Sequence, residues 1–307
     1  MKIQYPTKTF SLVVISIALF LSACQKQPEE QRENKASQPE SQVASQPAQP
    51  EFTVQVVNVA VNLPACEGNN CPEFQVKRLK SNVPELDALI DQKILNTLKN
   101  SLDLATLSDT TASSVNASEV DASQVVVSKN TATDAFTQNV QQYADTFVGL
   151  DKELKTMNAN PQISLHIQPK VLQQQGDIVT IQLNSDNFLG GAHGSAAQQY
   201  FSFDTKQKKL IQLDDVLQKG QKAALSKVAH AQFEKWVIEQ KLASNIKEYE
   251  DAWPFKLSQN FYFNKQGLVL QYAEYEIGPY VVGQPSFTIP YSALQGIVKA
   301  HYLPAQS

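Results

Sequence analysis

The sequence predicts an α+β fold in which a mainly antiparallel sheet packs against amphipathic helices. Strand-like alternation of apolar and polar residues occurs in neighbouring runs separated by short turns, as around residues 175–177. Helical periodicity is confined to separate stretches, at residues 82–102, 136–154 and 221–241. Strands that pair locally and helices that lie apart along the chain are typical of this fold class.

The first 23 residues predict a bacterial lipoprotein signal. Lys2 and Lys8 provide a basic start, and the apolar stretch after them is too short for a membrane span. It ends in Leu-Ser-Ala before Cys24, which resembles a lipobox, in which the cysteine is lipidated and becomes the mature N-terminus. Gln25 after it implies sorting to the periplasmic face of the outer membrane if the source is Gram-negative. An ordinary secretory signal cleaved near Ala23 is the alternative.

Residues 24–51 predict a disordered tether. From Gln25 to Pro50 the chain is mostly Gln, Glu, Ser and Pro, so it cannot bury enough apolar surface to offset the entropy of ordering. As a flexible coil this segment would span about 30 Å on average. Such a tether would let the folded part sample a broad zone above a membrane surface.

The charge of the chain excludes some partners. Its formal net charge is −4, without a basic stripe, which argues against nucleic acid. Loss of the signal would remove two lysines and make the chain more acidic, and this favours a basic protein partner through electrostatic steering. There is no phosphate-binding Gly-rich loop and no His-Glu-x-x-His motif, so the sequence predicts no cofactor and no bound metal.

The folded region starts with a Val-rich strand at residues 52–63, followed by Cys66 and Cys71. Two cysteines this close in an exported protein predict a disulfide that closes a turn. A metal site, which would need further ligands nearby, and two free thiols are the alternatives.

Two amphipathic helices come next. The first starts at Asn82 and Pro84 and repeats apolar residues to Leu102. Residues 103–124 are dominated by Ser, Thr, Ala and Asp, which predicts a mobile loop or a frayed helix. The second helix carries an aromatic stripe at residues 136–154 and is expected to pack in the core. These elements make an N-terminal part at residues 52–160.

The C-terminal part, residues 161–307, alternates predicted strands and turns around one long helix at 221–241. The strands are predicted at residues 163–167, 178–183, 210–213, 261–263, 268–272 and 287–289. A short helix is predicted at the C-terminus.

The connection between the runs that end at Asn184 and begin at Tyr200 carries the first candidate site. Three glycines, Gly190, Gly191 and Gly194, predict a backbone that visits positive φ or closely approaches another segment. His193 lies among them, and a structural role, packed against the turn and bonded to backbone, is expected for it. The alternative is a hydrolytic role of His193 with Asp204 or Asp186, although no Gly-x-Ser-x-Gly motif accompanies it.

The second candidate site is a tyrosine-rich stretch near the C-terminus. Its residues are Tyr272, Glu274, Tyr275, Glu276 and Tyr280. Tyrosines give stiff, amphipathic contact area, and loops carry function more often than cores do. Two glutamates beside them favour a cationic or hydroxyl-rich ligand. The alternative is that Pro and Gly shape a turn while the tyrosines cover the sheet.

Several of these motifs resemble the extracytoplasmic domain family DUF3298. They are Gly-Gly-Ala-His-Gly at 190–194, Tyr-Phe-Ser-Phe-Asp at 200–204, Leu-Ile-Gln-Leu-Asp-Asp-Val-Leu at 210–217, the run at 267–283 and Phe-Thr-Ile-Pro-Tyr-Ser-Ala-Leu at 287–294. The resemblance covers residues 160–303, and residues 52–160 resemble, less closely, the DUF4163-type segment that often precedes this domain. The family occurs in lysozyme-sensing anti-sigma factors and ahead of some peptidoglycan deacetylases, which implies a place in the cell envelope.

Two functions are compatible with these observations. The first is a non-catalytic, lipid-anchored binding module that captures a muramidase-type protein such as lysozyme, or peptidoglycan itself. The second is an envelope hydrolase that acts on cell-wall glycan or peptide. Nothing in the chain resembles a sigma-binding segment or the deacetylase domain, so neither of those activities is carried over from the resemblance. Clustering of His193 with carboxylates in an open cleft would favour an enzyme, whereas burial of His193 against backbone would favour a module.

Overall fold

A six-stranded sheet, in the order β1-β2-β3-β4-β5-β6, forms the larger part of the structure. The computed structural model describes residues 51–106, 131–157 and 161–304. The strands are β1 (Val54–Asn58), β2 (Glu73–Ser81), β3 (Ser164–Gln175), β4 (Ile178–Phe188), β5 (Ser195–Asp204) and β6 (Lys209–Ile211). Every neighbouring pair is antiparallel except β2 and β3. The prediction of an α+β fold with a mainly antiparallel sheet is therefore confirmed.

Two long helices, α1 (Pro84–Thr106) and α2 (Thr131–Thr156), connect β2 to β3. A parallel pair of strands needs such a crossover, because the chain must travel back to the end of the sheet at which the first strand began before the second strand can run in the same direction. Pro84 starts α1 where its missing N–H costs no intrahelical bond. The apolar stripe of α1 is buried against the sheet: Leu86, Ile90, Ile94, Leu98 and Leu102. The helix continues through the start of the predicted loop, and residues 107–130 lie outside the described residues.

A second group of elements follows β6. It contains α3 (Leu213–Val216), α4 (Lys222–Glu239), α5 (Ile246–Ala252) and a three-stranded antiparallel sheet of β7 (Phe261–Phe263), β8 (Gly267–Gln271) and β9 (Ser286–Pro290). In place of the predicted C-terminal helix there are two 3₁₀ turns, at Tyr291–Leu294 and Ala300–Tyr302. Another 3₁₀ turn, Tyr280–Val282, lies in the connection from β8 to β9.

Each group has its own hydrophobic core. One lies between the first five strands and helices α1 and α2, and the other lies between α4, α5 and the small sheet. Asn260 links the groups, because its side chain accepts from the backbone N–H of Tyr200 at 2.8 Å and donates to the carbonyl of Gln198 at 2.7 Å. The described residues, 51–106, 131–157 and 161–304, accordingly belong to one compact unit.

The segment between β1 and β2 carries the two neighbouring cysteines. Cys66 and Cys71 are joined by a disulfide in the structure, with 5.7 Å between their Cα atoms. Cys24, the predicted signal and the predicted tether up to residue 50 lie outside the described residues. Within the described part of the chain, no helix is long and apolar enough to span a membrane.

Candidate functional site

The two candidate stretches of the sequence lie side by side in the structure. Strands β4 and β5 are joined by the Gly-rich connection, residues 189–194, which we call the glycine turn. Strands β8 and β9 are joined by residues 272–285, which we call the tyrosine loop. Several hydrogen bonds and ring contacts join the glycine turn and the start of β5 to the tyrosine loop, so the two form a single composite site.

Three aromatic rings meet at this site. His193 stacks on Tyr280 with ring centroids 3.8 Å apart, and Tyr275 stacks on Tyr280 at 5.7 Å. The phenol of Tyr275 lies 3.2 Å from Nε2 of His193. We refer to His193, Tyr275 and Tyr280 as the aromatic cluster. All three side chains are exposed, Tyr275 at 50% and Tyr280 at 37%.

The carbonyl of Gly194 fixes the geometry of the cluster. It accepts hydrogen bonds from Nδ1 of His193 and from the hydroxyl of Tyr280, both at 3.0 Å. A carbonyl can only accept, so Nδ1 of His193 donates to it, and Nε2 faces the hydroxyl of Tyr275. The contact with backbone is the one expected of a structural His193, and the ring lies on the surface.

Close approach, and not positive φ, explains the glycine at position 194. A Cβ atom there would lie 2.7 Å from the carbonyl oxygen of Asn187 on the paired strand. Of the three glycines in the turn, Gly190 has a positive φ, at +92°, and its Cβ would also meet Leu154 of α2 at 2.8 Å. Gly191 meets neither constraint. Its φ is not positive, and a Cβ atom there would lie 3.9 Å from the nearest atom.

The two glutamates of the tyrosine loop hold the site together. Glu274 accepts from the hydroxyl of Ser195 at 3.0 Å and from the N–H of Ala196 at 3.3 Å, which ties the loop to the first residues of β5. Glu276 accepts from the N–H of Ala273 at 2.8 Å and closes a turn within the loop. Both carboxylates therefore have structural partners, and this differs from the predicted role of binding a cationic or hydroxyl-rich ligand.

Tyr272, predicted as a binding residue, is fully buried. Its hydroxyl donates to the carbonyl of Lys256 at 2.9 Å, and burial raises the pKa of its phenol. The prediction was wrong because Tyr272 directly follows β8 and packs with Phe287 of β9, at 5.1 Å between ring centroids. For this tyrosine the alternative, that it covers the sheet, is the observed arrangement.

The middle of the tyrosine loop is fastened to the helices. The hydroxyl of Tyr249 in α5 donates to the carbonyl of Ile277 at 3.1 Å. A Cβ on Gly278 would lie 2.6 Å from the Tyr249 hydroxyl oxygen and 3.4 Å from the Trp236 ring of α4. The loop is thus held at β5 and at α5, and Tyr275, Tyr280 and Val281 project from it.

The backbone of Tyr275 is strained. Its φ is +62°, in the left-handed region that a bulky side chain disfavours by about 1–2 kcal/mol. A strained residue persists only when the surrounding structure holds it, and such residues concentrate at functional sites. Val281, 86% exposed, presents a further apolar side chain six positions later in the loop. The composite site therefore combines stored strain with exposed apolar surface.

An open groove of about 300 Å³ adjoins the tyrosine loop. It is lined by Leu242, Ala243, Glu248, Tyr249, Ala252, Trp253 and Pro279, and we refer to it as the apolar groove. Glu248 is the one charged side chain among these lining residues. Pro279 belongs to both features, since it forms part of the groove wall and immediately precedes Tyr280.

The predicted catalytic pairs are not assembled. Asp186 lies 2.9 Å from Nδ1 of His166, its cross-strand neighbour, and not beside His193. Asp204 caps the turn after β5 by accepting from the N–H groups of Lys206 and Gln207. It lies at the far end of a ten-residue strand from the glycine turn, about 30 Å away at the usual rise per residue. The strand thus separates Asp204 from His193, and the carboxylate of Asp186 is paired with His166 instead.

Sequence reasoning missed the residues that complete the site. Ser195, Tyr249 and Val281 position or extend the tyrosine loop, and of the three only Val281 falls within a motif, the run at 267–283. Val281 alone gave a local signal, because it is an apolar residue between turn-forming Pro and Gly residues.

The described residues contain no group of three or more His, Cys, Asp or Glu side chains that could hold a metal ion.

Comparison with protein-family models matches two consecutive parts of the chain. Residues 51–196 match the model named Deacetylase PdaC, and residues 214–292 match DUF3298, a protein family of unknown function. His193 falls in the first match, while Tyr275 and Tyr280 fall in the second. The composite site is therefore built from both parts.

A curated protein and two solved structures are among those similar to the chain. It is 22% identical over 169 residues to peptidoglycan-N-acetylmuramic acid deacetylase PdaC of Bacillus subtilis (strain 168), which covers 54% of this chain and 35% of that relative. The chain thus spans about a third of the length of that relative. A DUF3298 family protein from Pseudomonas aeruginosa PAO1 is 26% identical, with a TM-score of 0.55 over 83% of this chain and 96% of that one.

A DUF3298 family member from Bacteroides fragilis is 16% identical, with a TM-score of 0.51 over 81% of this chain and 94% of that one, and shares the fold. The family model and the structures agree on the C-terminal part of the chain. Residues 214–292 are therefore similar to the DUF3298 family, and residues 51–196, which precede them, are similar to the family named for PdaC.

Proposed function

We propose that this protein is a non-catalytic binding module of the bacterial cell envelope, and that the aromatic cluster is its contact surface. The module would capture a muramidase-type protein or peptidoglycan. The similarity to a peptidoglycan deacetylase supports an envelope role. A lipid on Cys24 and the tether after it would hold the module at a membrane, on the periplasmic face of the outer membrane in a Gram-negative source.

One observation carries the proposal: three exposed aromatic rings are clustered at a strained loop. The carbonyl of Gly194 accepts from His193 and Tyr280, and Tyr275 is held by its contact with His193 and by stacking on Tyr280. Exposed rings of this kind contribute little to folding, because they remain in contact with water. They become worth a few kcal/mol when a partner buries them, as anchor tyrosines do at interfaces. Because the rings stack on one another before any partner arrives, little side-chain entropy is lost on binding.

The test measures binding of the full-length protein in detergent to purified peptidoglycan sacculi, by sedimentation, and to purified c-type lysozyme, by calorimetry. Tyr280→Ala and Tyr275→Ala are expected to weaken binding to the true ligand at least tenfold while the melting temperature changes little. Met157→Ala, which removes another exposed apolar side chain outside the cluster, is the control. Binding to neither ligand, or binding that both tyrosine variants leave intact, would refute the proposal.

An envelope hydrolase is the second candidate. The observation in its favour is the name of the similar protein, a peptidoglycan-N-acetylmuramic acid deacetylase. Against the predicted chemistry, Nε2 of His193 is engaged by Tyr275, and the hydroxyl of Ser195 donates to Glu274, so these residues do not form a nucleophile–base pair. Incubation with sacculi, followed by assays for released acetate and for reducing ends, tests for hydrolysis. Activity that His193→Ala abolishes in a fully folded variant would favour the enzyme.

Anchoring is tested separately. Cys24→Ala is expected to prevent acylation and to release the protein from the membrane fraction. Fatty-acid labelling and cell fractionation provide the readouts. A variant that is labelled and membrane-bound like the wild type would exclude Cys24 as the lipid attachment site.

A further inference from the structure

We propose that two copies of this protein pair edge to edge through their β1 strands and form a symmetric dimer. Strand β1 (Val54–Asn58) ends the large sheet, and among the described elements it pairs with β2 alone. This surface shares no residue with the aromatic cluster, so the proposal goes beyond the proposed function and concerns the assembly of the protein. An exposed strand edge is a template for a further strand, because its outward backbone groups have no partner in the sheet.

The bonds between β1 and β2 show which backbone groups point outward. The carbonyl of Thr53 accepts from the N–H of Asn82 at 3.1 Å, and the N–H of Val59 donates to the carbonyl of Val76 at 2.9 Å. Both contacts continue the register of β1 and β2, and in an antiparallel pair successive residues direct their N–H and C=O groups to alternate sides. The odd-numbered residues of β1 therefore face β2. The even-numbered residues face away from the sheet: Val54, Val56 and Asn58.

The β1 edge lacks the features that normally keep two strand edges apart. From Phe52 to Leu63 the sequence contains no charged residue and no proline, and the side chain of Val56 is 40% exposed. Natural proteins block exposed edges with short strands, charges or proline. The other edge of the same sheet follows this rule, since β6 has three residues and begins at Lys209, directly after Lys208. The contrast favours β1, and not β6, as the edge that pairs.

A pairing centred on Val56 makes the edge complementary to itself. An antiparallel two-fold arrangement places Val56 opposite Val56 of the second copy, and Val54 opposite Asn58 of that copy. Each outward residue then meets an outward residue, so the opposed pairs form about six backbone hydrogen bonds. The two Val56 side chains lie about 5 Å apart at Cβ and cover each other. A shift by one residue would instead set outward groups against groups that already bind β2.

The chain before β1 favours a second copy of this protein as the partner. Residues 1–50 lead directly into the strand, and the proposed lipid on Cys24 would leave a tether of about 30 Å between membrane and β1. Copies held on one membrane would thus present their β1 edges within reach of each other. A five-residue strand buries much less area than a standard interface, so the contact depends on the high local concentration that tethering provides. Only this step rests on the proposed anchor, since concentrated protein in solution should pair in the same way.

The experiment places the same charge at two exposed positions near the edge. Val56→Lys sets two lysines directly opposite each other across the two-fold axis, where like charges destabilise a strand pair. Thr53→Lys is the matched control, because Thr53 is also exposed but the two lysines would lie about 20 Å apart along the strands. Val56→Glu is the complement, since its mixture with Val56→Lys sets opposite charges face to face.

Sedimentation equilibrium of the full-length chain in density-matched detergent measures dimerisation up to about 1 mM protein, the effective concentration of tethered pairs. Thermal unfolding verifies that each variant is folded. The wild type is expected to form dimers, which Val56→Lys and Val56→Glu should each weaken about tenfold and Thr53→Lys less than about twofold. An equimolar mixture of the two Val56 variants should regain dimers. A wild type that stays monomeric over the whole range would overturn the inference, as would equal effects of Val56→Lys and Thr53→Lys, or a mixture that remains monomeric.

Discussion

The imidazole of His193 stacks on the phenol ring of Tyr280, with 3.8 Å between centroids and 20° between planes. The contact joins the glycine turn to the tyrosine loop, two segments that the sequence presents as unrelated candidates. Because Tyr280 also stacks on Tyr275, the position of one ring depends on the other two. His193 is therefore expected to act by positioning the tyrosines.

His193→Ala should weaken ligand binding about as much as Tyr280→Ala. It should lower the free energy of unfolding by only about 1 kcal/mol, since an exposed ring and its hydrogen bonds contribute little. His193→Phe keeps the stacked ring and should retain most of the binding. Calorimetric titration and urea unfolding of both variants provide the check. Equal loss of binding in the Ala and Phe variants would show that the imidazole itself is required.

Tyr275→Gly should make the protein more stable and less able to bind. Glycine adopts φ near +62° without penalty, so relief of strain should add about 0.5–1 kcal/mol to the free energy of unfolding. Lys241, at φ +55° after α4, offers the control, since Lys241→Gly should stabilise the protein and leave binding unchanged. Thermal unfolding and ligand titration measure both quantities. If Tyr275→Gly is destabilised, the strain argument does not hold.

Gly194→Val should destabilise the fold, whereas Gly191→Val should be tolerated. The first substitution forces a side chain against the carbonyl of Asn187, and such overpacking costs about 1–3 kcal/mol. The second meets no atom closer than 3.9 Å and does not require positive φ. Urea unfolding of the two variants provides the test. If the turn simply requires glycine at every position, Gly191→Val and Gly194→Val should be equally destabilised.

Stability should rise on mild acidification because of Asp91. Burial raises the pKa of this carboxyl to about 6, although the neighbouring Arg78 guanidinium opposes the shift. The folded state then takes up a proton at higher pH than the unfolded chain does. The free energy of unfolding should therefore increase by about 1 kcal/mol between pH 7 and pH 5 from this group.

Asp91→Asn is the matched test of this pH dependence. The variant carries a neutral side chain beside the buried Arg78 at every pH. Its stability should change less between pH 7 and pH 5 than that of the wild type. Urea unfolding at the two pH values gives the comparison, and an identical pH dependence of the two proteins would exclude Asp91 as the group responsible.

The disulfide between Cys66 and Cys71 should be recovered from envelope protein. Mass spectrometry of a non-reduced digest should identify one cross-linked species, and alkylation of both thiols in freshly isolated protein would contradict this. The sequence separation is 5, so loop-closure entropy limits the stabilisation to about 2 kcal/mol. A double substitution to serine should accordingly leave a folded protein.

Periodicity predicted the elements whose apolar stripes are regular, and these include α1, α2, α4 and the β3–β4 hairpin. It missed β2, where buried Arg78 interrupts the alternation and is accommodated by Asp91 and the ring of Phe136. Pattern analysis cannot reveal a tertiary ion pair of this kind. It also missed α5, whose seven residues are too few for a clear period.

The candidate site was only partly predictable, for a related reason. Local composition singled out His193 and the tyrosines, since Gly-rich and Tyr-rich loops are conspicuous in the sequence. Their proximity depends on Asn260, which joins β5 to the segment before β7, and on Tyr249. Asp186 and Asp204 were placed near His193 because they are near it in sequence, but Asp204 lies at the far end of β5 and Asp186 is paired with His166.

The parallel pairing of β2 with β3 has a consequence for folding during export. Phe74 of β2 is in register with Leu165 of β3. Because both long helices lie between these strands in the sequence, β2 cannot pair with β3 until the helices have emerged. A chain that crosses a membrane from its N-terminus would meanwhile expose Phe74 and Val76, which are buried once folded. Late, non-local pairing of this kind slows folding and leaves an unpaired strand open to aggregation. If the protein is exported, as proposed above, its folding should therefore depend on periplasmic or extracellular chaperones that shield β2.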